Sequence, residues 1–215
     1  MAALCFLGTL GLSVLLAVAT IVLWFTRRRW AQYSLIALAA LLAGYASLLA
    51  LFSYASYDRT AKVGDEKYFC GMDCHIGYSV QRVERMKTIG GVAAQGEFVV
   101  VTVRSHFDER SIAPWRGNGS LTPDPPKLEL VDASGRRFAL SAAGQKAWDA
   151  EHPAGHSMTD ALRPGEAYET TWVFEVPPGD ATLRMYAGWH GFPETVLIGD
   201  EASPGHGKTY LALSQ

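Results

Sequence analysis

The residues best suited to chemistry stand in one short run, Tyr68-Phe69-Cys70-Gly71-Met72-Asp73-Cys74-His75. It brings two thiols, a thioether and an imidazole within a few residues of one another. Soft donors of these three kinds together select copper over harder cations. Cys70, Cys74 and His75 therefore read as candidate metal ligands, with Met72 as an optional weak one. In an oxidising compartment the same cysteines also suit a disulfide. Extended, they lie about 13 Å apart and cannot be bridged, whereas one helical turn brings them within reach. Gly71 makes such a turn cheap. Cys-x3-Cys-His is in addition a lengthened form of the Cys-x2-Cys-His haem-attachment signal, with His75 as axial ligand, and two thiols can exchange disulfides. A β-sandwich rarely offers a haem pocket, and the exchange reading lacks both the tight Cys-x2-Cys spacing and a strand–helix context. The Cys70–Cys74 disulfide and the soft-metal or redox site stay open as alternatives.

Further histidines can complete a site from elsewhere in the chain. His206 lies in Ser203-Pro204-Gly205-His206-Gly207 and His190 in Gly188-Trp189-His190-Gly191, both glycine-rich loops that allow close backbone approach. His206 is the distal candidate, because the first and last segments of a domain are often neighbours. His152, His156 and Met158 form a second His/Met group in a loop.

What positions the Cys/His run is an uneven chain of 215 residues, 49% hydrophobic, whose apolar content is concentrated at its start. No charged side chain occurs from Ala2 to Phe25. At helical rise that run reaches about 36 Å, enough to cross a ~30 Å hydrocarbon core with some tilt. Arg27, Arg28 and Arg29 interrupt it, and a second uncharged run extends from Trp30 to Tyr57. Trp24, Trp30, Tyr33, Tyr54 and Tyr57 fall near the ends, as amphipathic rings do at headgroup level. Residues 1–57 thus read as a two-span transmembrane hairpin. Its arginine-rich tip is expected on the cytoplasmic side, which places the N-terminus and everything after Tyr57 outside, in the periplasm or the extracellular space. A cleaved signal peptide followed by one anchor is the rival reading. It lacks a basic first region here, and the first run is long for a signal sequence. With no Asp, Glu, His, Lys or Arg in either span and Cys5 as the one thiol, the hairpin reads as an anchor in membrane lipid or a docking surface for other subunits, not as an ion pathway.

Residues 58–77 read as a linker and Cys/His entry segment, and 78–215 as a β-sandwich. Phe98 to Val103 is a continuous, mostly β-branched run, as expected for a strand in a sandwich interior. Leu128–Val131, the turn 132–135 and Arg136–Leu140 give a hairpin signal. Tyr168–Val176 is a strand between the turns Arg163-Pro164-Gly165-Glu166 and Pro177-Pro178-Gly179-Asp180. Further strands are expected at Tyr78–Met86, Ala181–Ala187, Thr195–Ile198 and Lys208–Leu213, and one short helix at Ala142–Glu151. Such a series over about 150 residues implies an antiparallel sandwich.

The order Gly-Glu-Phe-Val-Val-Val-Thr-Val-Arg, Leu-Val-Asp-Ala-Ser-Gly-Arg-Arg-Phe, Leu-Arg-Pro-Gly-Glu and Val-Phe-Glu-Val-Pro resembles uncharacterised bacterial extracytoplasmic immunoglobulin-like domains. The resemblance covers roughly Tyr78 to Tyr186 and implies an all-β immunoglobulin-like fold and an extracytoplasmic compartment, not a chemistry. Cys-x3-Cys behind a two-helix anchor is also similar to the binuclear copper loop of cytochrome oxidase subunit II. That likeness is of architecture and ligand type only, because His75 is adjacent to Cys74 and the loop opens the domain instead of closing it.

The formal net charge of -2 and pI near 6.3 argue against a nucleic-acid partner. No nucleophile elbow, phosphate loop, dinucleotide fingerprint or zinc-protease helix occurs, so an enzyme is not supported. Trp115, Trp148, Trp172 and Trp189 read as packing residues. The expected function is a membrane-anchored domain with a Cys/His/Met copper or redox site. The alternative is a non-catalytic structural or assembly subunit of a membrane complex, with Cys70–Cys74 as a disulfide clip.

Overall fold

The computed structural model describes residues 2–69, 75–153, 155–189 and 191–213. The chain divides into two compact units, one made of 1–57 and 190–207, the other of 58–189 and 208–215.

In the first unit, α1 (Ala2–Thr26) and α2 (Arg28–Ala55) form a helical hairpin broken at Arg27. Leucine and alanine favour helix throughout, and no proline interrupts either run. Arg27 leaves the helical region, at φ -145° and ψ 76°, and the chain reverses there. The Thr20 and Ser34 hydroxyls, 3.0 Å apart across the hairpin, both reach the Leu16 carbonyl, at 2.7 and 3.0 Å. These bonds satisfy polar groups inside an apolar pair of helices. Both helices are long and apolar enough to cross a membrane, and none of either apolar stretch is buried, unlike the core helix of a soluble protein.

The expected strand at 195–198 is instead a 3₁₀ turn at Glu194–Val196. The apolar run there is short, and Gly199 at φ +82° ends it. Local bonds from Val196 N to Pro193 O and from Leu197 N to Glu194 O take the place of a ladder.

The second unit is a two-sheet sandwich. One sheet is ordered β1 (Arg59–Ala61), β9 (Thr209–Ala212), β8 (Arg184–Gly188), β5 (Lys127–Val131), β6 (Arg137–Phe138). The other is ordered β2 (Lys67–Tyr68), β3 (Ile76–Ile89), β4 (Val92–Phe107), β7 (Ala167–Val176). All pairings are antiparallel except β1 with β9. Gly90 and Gly91, both at positive φ, close the β3–β4 hairpin in the two-residue turn that matches strand twist.

The continuous apolar run in β4 has a direct cause. Val99, Val101 and Val103 face the inter-sheet core with Leu128, Leu130 and Met185, while Phe98 and Val100 face outward under α3 (Ala142–Glu151). The Ser141 side chain caps α3 by accepting from Gly144 N at 3.3 Å. Gly144 lets the helix sit down on the sheet, because a Cβ there would lie 2.7 Å from Val173 Cγ1 and 2.9 Å from Phe98 Cε1.

Gly144→Ala is therefore expected to lift α3 and cost about 1–3 kcal/mol, as overpacking does in a close-packed core. Urea unfolding of the full chain in detergent, followed by tryptophan fluorescence, measures it. An unchanged midpoint would show that α3 does not clamp the sheet.

Candidate functional site

Cys70, Met72 and Cys74 lie outside the described residues, as does His190. The site is therefore built from the residues that frame the Cys/His run. On its N-terminal side the frame is β2 with its flanks, Glu66 and Phe69. On its C-terminal side it is His75, at the mouth of the β3–β4 hairpin.

Lys67 is the residue that sequence reasoning missed. It reads as a surface lysine, yet only 6% of it is exposed. Its ammonium donates to the carbonyl oxygens of Ala187 in β8, at 2.8 Å, and Thr209 in β9, at 2.7 Å. It lies 5.1 Å from the Phe69 ring centroid and 4.9 Å from that of Tyr186. Carbonyl dipoles and ring faces both attract a desolvated cation. Lys67 therefore ties β2, at the edge of one sheet, to two strands of the other. Phe69 continues the contact by packing on Trp189 at 5.0 Å and Tyr78 at 5.7 Å. Nothing in the local pattern signals this burial, because it depends on strands more than a hundred residues away.

His75 is held just as firmly. Asp108 N donates to its carbonyl at 2.9 Å, extending the β3–β4 ladder past Ile76. Its ring stacks on Phe107 at 5.8 Å, and its Nδ1 lies 2.7 Å from Ser111 Oγ. Ser111 has a single hydroxyl proton, and that proton goes to the Asp108 carbonyl at 2.6 Å. Nδ1–H must then be the donor to Ser111, so the neutral imidazole carries its lone pair on Nε2.

Beside it, Glu66 accepts from Tyr68 Oη and sits 2.8 Å from His106 Nδ1. Burial, and then the bond to Glu66, push the Tyr68 phenol well above its ordinary range. The bonds from Arg110 hold the Asp108 carboxyl below its own. The framing groups thus form a hydrogen-bonded, charge-bearing network at the sheet edge, within which Arg110 and Ser111 stay exposed to solvent.

The other candidates divide differently. His206 belongs to the unit that contains the helices, where its Nδ1 is buried without a hydrogen-bond partner among the described groups. In the sandwich unit, His152 stacks on Trp148 at 4.0 Å, and its Nδ1 lies 3.0 Å from the Trp148 carbonyl. His156 pairs with Asp160 at 3.0 Å and stacks on Tyr168. Met158, at 2% exposure, packs in the inter-sheet core. Both histidines border a groove of about 900 Å³ over β7 and the end of α3. Among the described residues, no group of three or more His, Cys, Asp or Glu side chains is disposed to hold a metal ion. Of the tryptophans, Trp148 and Trp172 pack against the cores as expected, while Trp115 stands exposed.

The fold and site together define two long apolar N-terminal helices followed by a sandwich-like domain of two sheets. The chain matches no protein-family model and no curated protein. Among solved structures it is similar to a secreted protein from Mycobacterium tuberculosis, MPT63, at 19% identity and a TM-score of 0.43, over 63% of this chain and 92% of that one. It is similar also to the yjhA protein from Bacillus subtilis, at 12% identity and a TM-score of 0.41, over 71% of this chain and 98% of that one. A conserved hypothetical protein from Bacillus anthracis matches at 17% identity and a TM-score of 0.39, over 57% and 89%. All three scores lie below one half, and nothing about function follows from them.

Lys67→Met is expected to remove the ammonium's bonds to the Ala187 and Thr209 carbonyls and lower stability by about 2 kcal/mol, as the loss of charge-assisted hydrogen bonds does. The check is the unfolding midpoint of the full chain. A change within error would mean that the ammonium is not what joins β2 to the second sheet.

Proposed function

We propose that the chain is an extracytoplasmic immunoglobulin-like sandwich on a two-pass membrane anchor, carrying a soft-metal or redox centre at the Cys70–His75 run. The arginine-rich hairpin tip supports the orientation, because short basic loops stay on the cytoplasmic side. The two-sheet arrangement, with its core between the sheets, supports the immunoglobulin-like reading.

The observation that carries the functional reading is the fixing of His75. A metal-binding imidazole typically donates its other ring N–H to a fixed oxygen, which sets the tautomer and aims the lone pair. Ser111, itself anchored on the Asp108 carbonyl, supplies that oxygen. Coordination by His75 then falls to Nε2. Cys70 and Cys74 supply thiolates once deprotonated, and Met72 supplies an optional thioether. Copper bound by such donors carries single electrons. The chain's own part is to present soft donors from a segment whose two ends are clamped, by Lys67 and Phe69 before it and by the His75–Ser111 bond after it.

The test is a thiol count with metal analysis on the full chain carrying Cys5→Ser, purified without reductant. Two titratable thiols with near-stoichiometric copper are expected. Cys70→Ser is expected to abolish copper binding, and Ser111→Ala to weaken it by roughly tenfold through the loss of an outer-shell partner. The absence of free thiols, with no copper uptake after reduction, would overturn the proposal and leave a disulfide-clipped assembly subunit.

A further inference from the structure

Residues 191–207 belong to the same compact unit as the two apolar helices. α2 is 28 residues long, about 42 Å, and so outruns a ~30 Å hydrocarbon core. Measured from Arg27 at the hairpin tip, Tyr45 stands about 27 Å along the axis and Phe6 about 31 Å. These are the depths at which hydrocarbon gives way to headgroups, and the loop attaches there. Tyr45 Oη donates to the Val196 carbonyl at 2.6 Å, and Phe192 meets Phe6 edge to face at 5.7 Å. Further out, Gly199 lies beside Phe52, and Gly207 N donates to Ser56 Oγ at 2.7 Å.

The loop satisfies much of its own backbone. Here Thr195 N bonds to Gly191 O, Asp200 N to Leu197 O, Ser203 N to Asp200 O and His206 N to Ser203 O. The Ser203 hydroxyl closes the turn on Leu197 O at 2.6 Å. Burial raises the Asp200 carboxyl above its ordinary range, against the opposing bond from Ala202 N. Phe192 is nonetheless 75% exposed. A well-anchored loop that leaves a large aromatic ring uncovered at this level matches the interfacial placement of aromatic side chains.

We infer that residues 191–207 are an interfacial element that rests in the outer headgroup region and sets Phe192 against phospholipid. The inference rests on the reading of α1 and α2 as membrane spans. Glu194, Asp200 and Glu201, with no lysine or arginine in the loop, fit zwitterionic headgroups better than anionic ones.

The test places a photo-reactive benzoyl-phenylalanine at position 192 or at position 15 of the full chain, reconstituted in phosphatidylcholine vesicles. Lipid adducts are then quantified by mass spectrometry. Leu15 is 68% exposed in mid-span and serves as the reference. The expected result is a lipid-adduct yield at 192 within about fivefold of that at 15, with adducts on glycerol and upper acyl carbons, the depth at which interfacial aromatics sit. Adducts at 15 with a yield at 192 more than about tenfold lower would overturn the inference and leave the spans standing. A lack of adducts at both positions would overturn the span reading and the inference with it.

Discussion

The pairing of β3 with β4 fixes most of what surrounds it. These are the longest strands in the sandwich, at 14 and 16 residues, joined by a two-glycine turn and re-registered by irregularities at Met86/Thr88 and Val80/Arg82. A strand apolar on both faces must find two different covers. β4 finds the second sheet on one face and α3 on the other. The register that satisfies both also sets Ile76 opposite Phe107. His75 then falls one residue beyond the ladder, within reach of the Asp108 amide and the Ser111 hydroxyl. The histidine at the centre of the proposed site is held by the hairpin register and needs no separate scaffold.

Features carried by local pattern were legible in the sequence. Both apolar helices, the break at the arginines and the helix 142–151 are periodic or compositional signals, and α3 occupies that range. The hairpin through 132–135 shows because Asp132 satisfies the turn by itself, accepting from Ser134 N and Arg136 N. The strand between the Arg163 and Pro177 turns is found where turn chemistry bounds it.

What escaped depends on distant partners. β1 and β2 are three and two residues long, too short to alternate, and exist because a longer strand lies alongside. Lys67 carries no local sign of burial, since its acceptors are carbonyls of β8 and β9. The apolar residues at 195–198 look like strand until Tyr45 offers a donor to Val196, and the segment groups with the helices instead. At the site, the donor types in the Cys/His run were readable from sequence, whereas the Ser111 bond that fixes the His75 tautomer was not. Ser111 is far from His75 in sequence and lies in a 3₁₀ turn without a recognisable motif.

All of the proposed chemistry presupposes that the sandwich stands outside the cytoplasm on a two-pass anchor. An epitope tag on each terminus, tested with protease added to spheroplasts with a sealed inner membrane, addresses this directly. The account predicts that both tags are removed from outside, without permeabilisation. Protection of the C-terminal tag until the membrane is opened, or a mature protein that has already lost its N-terminal tag, would contradict it.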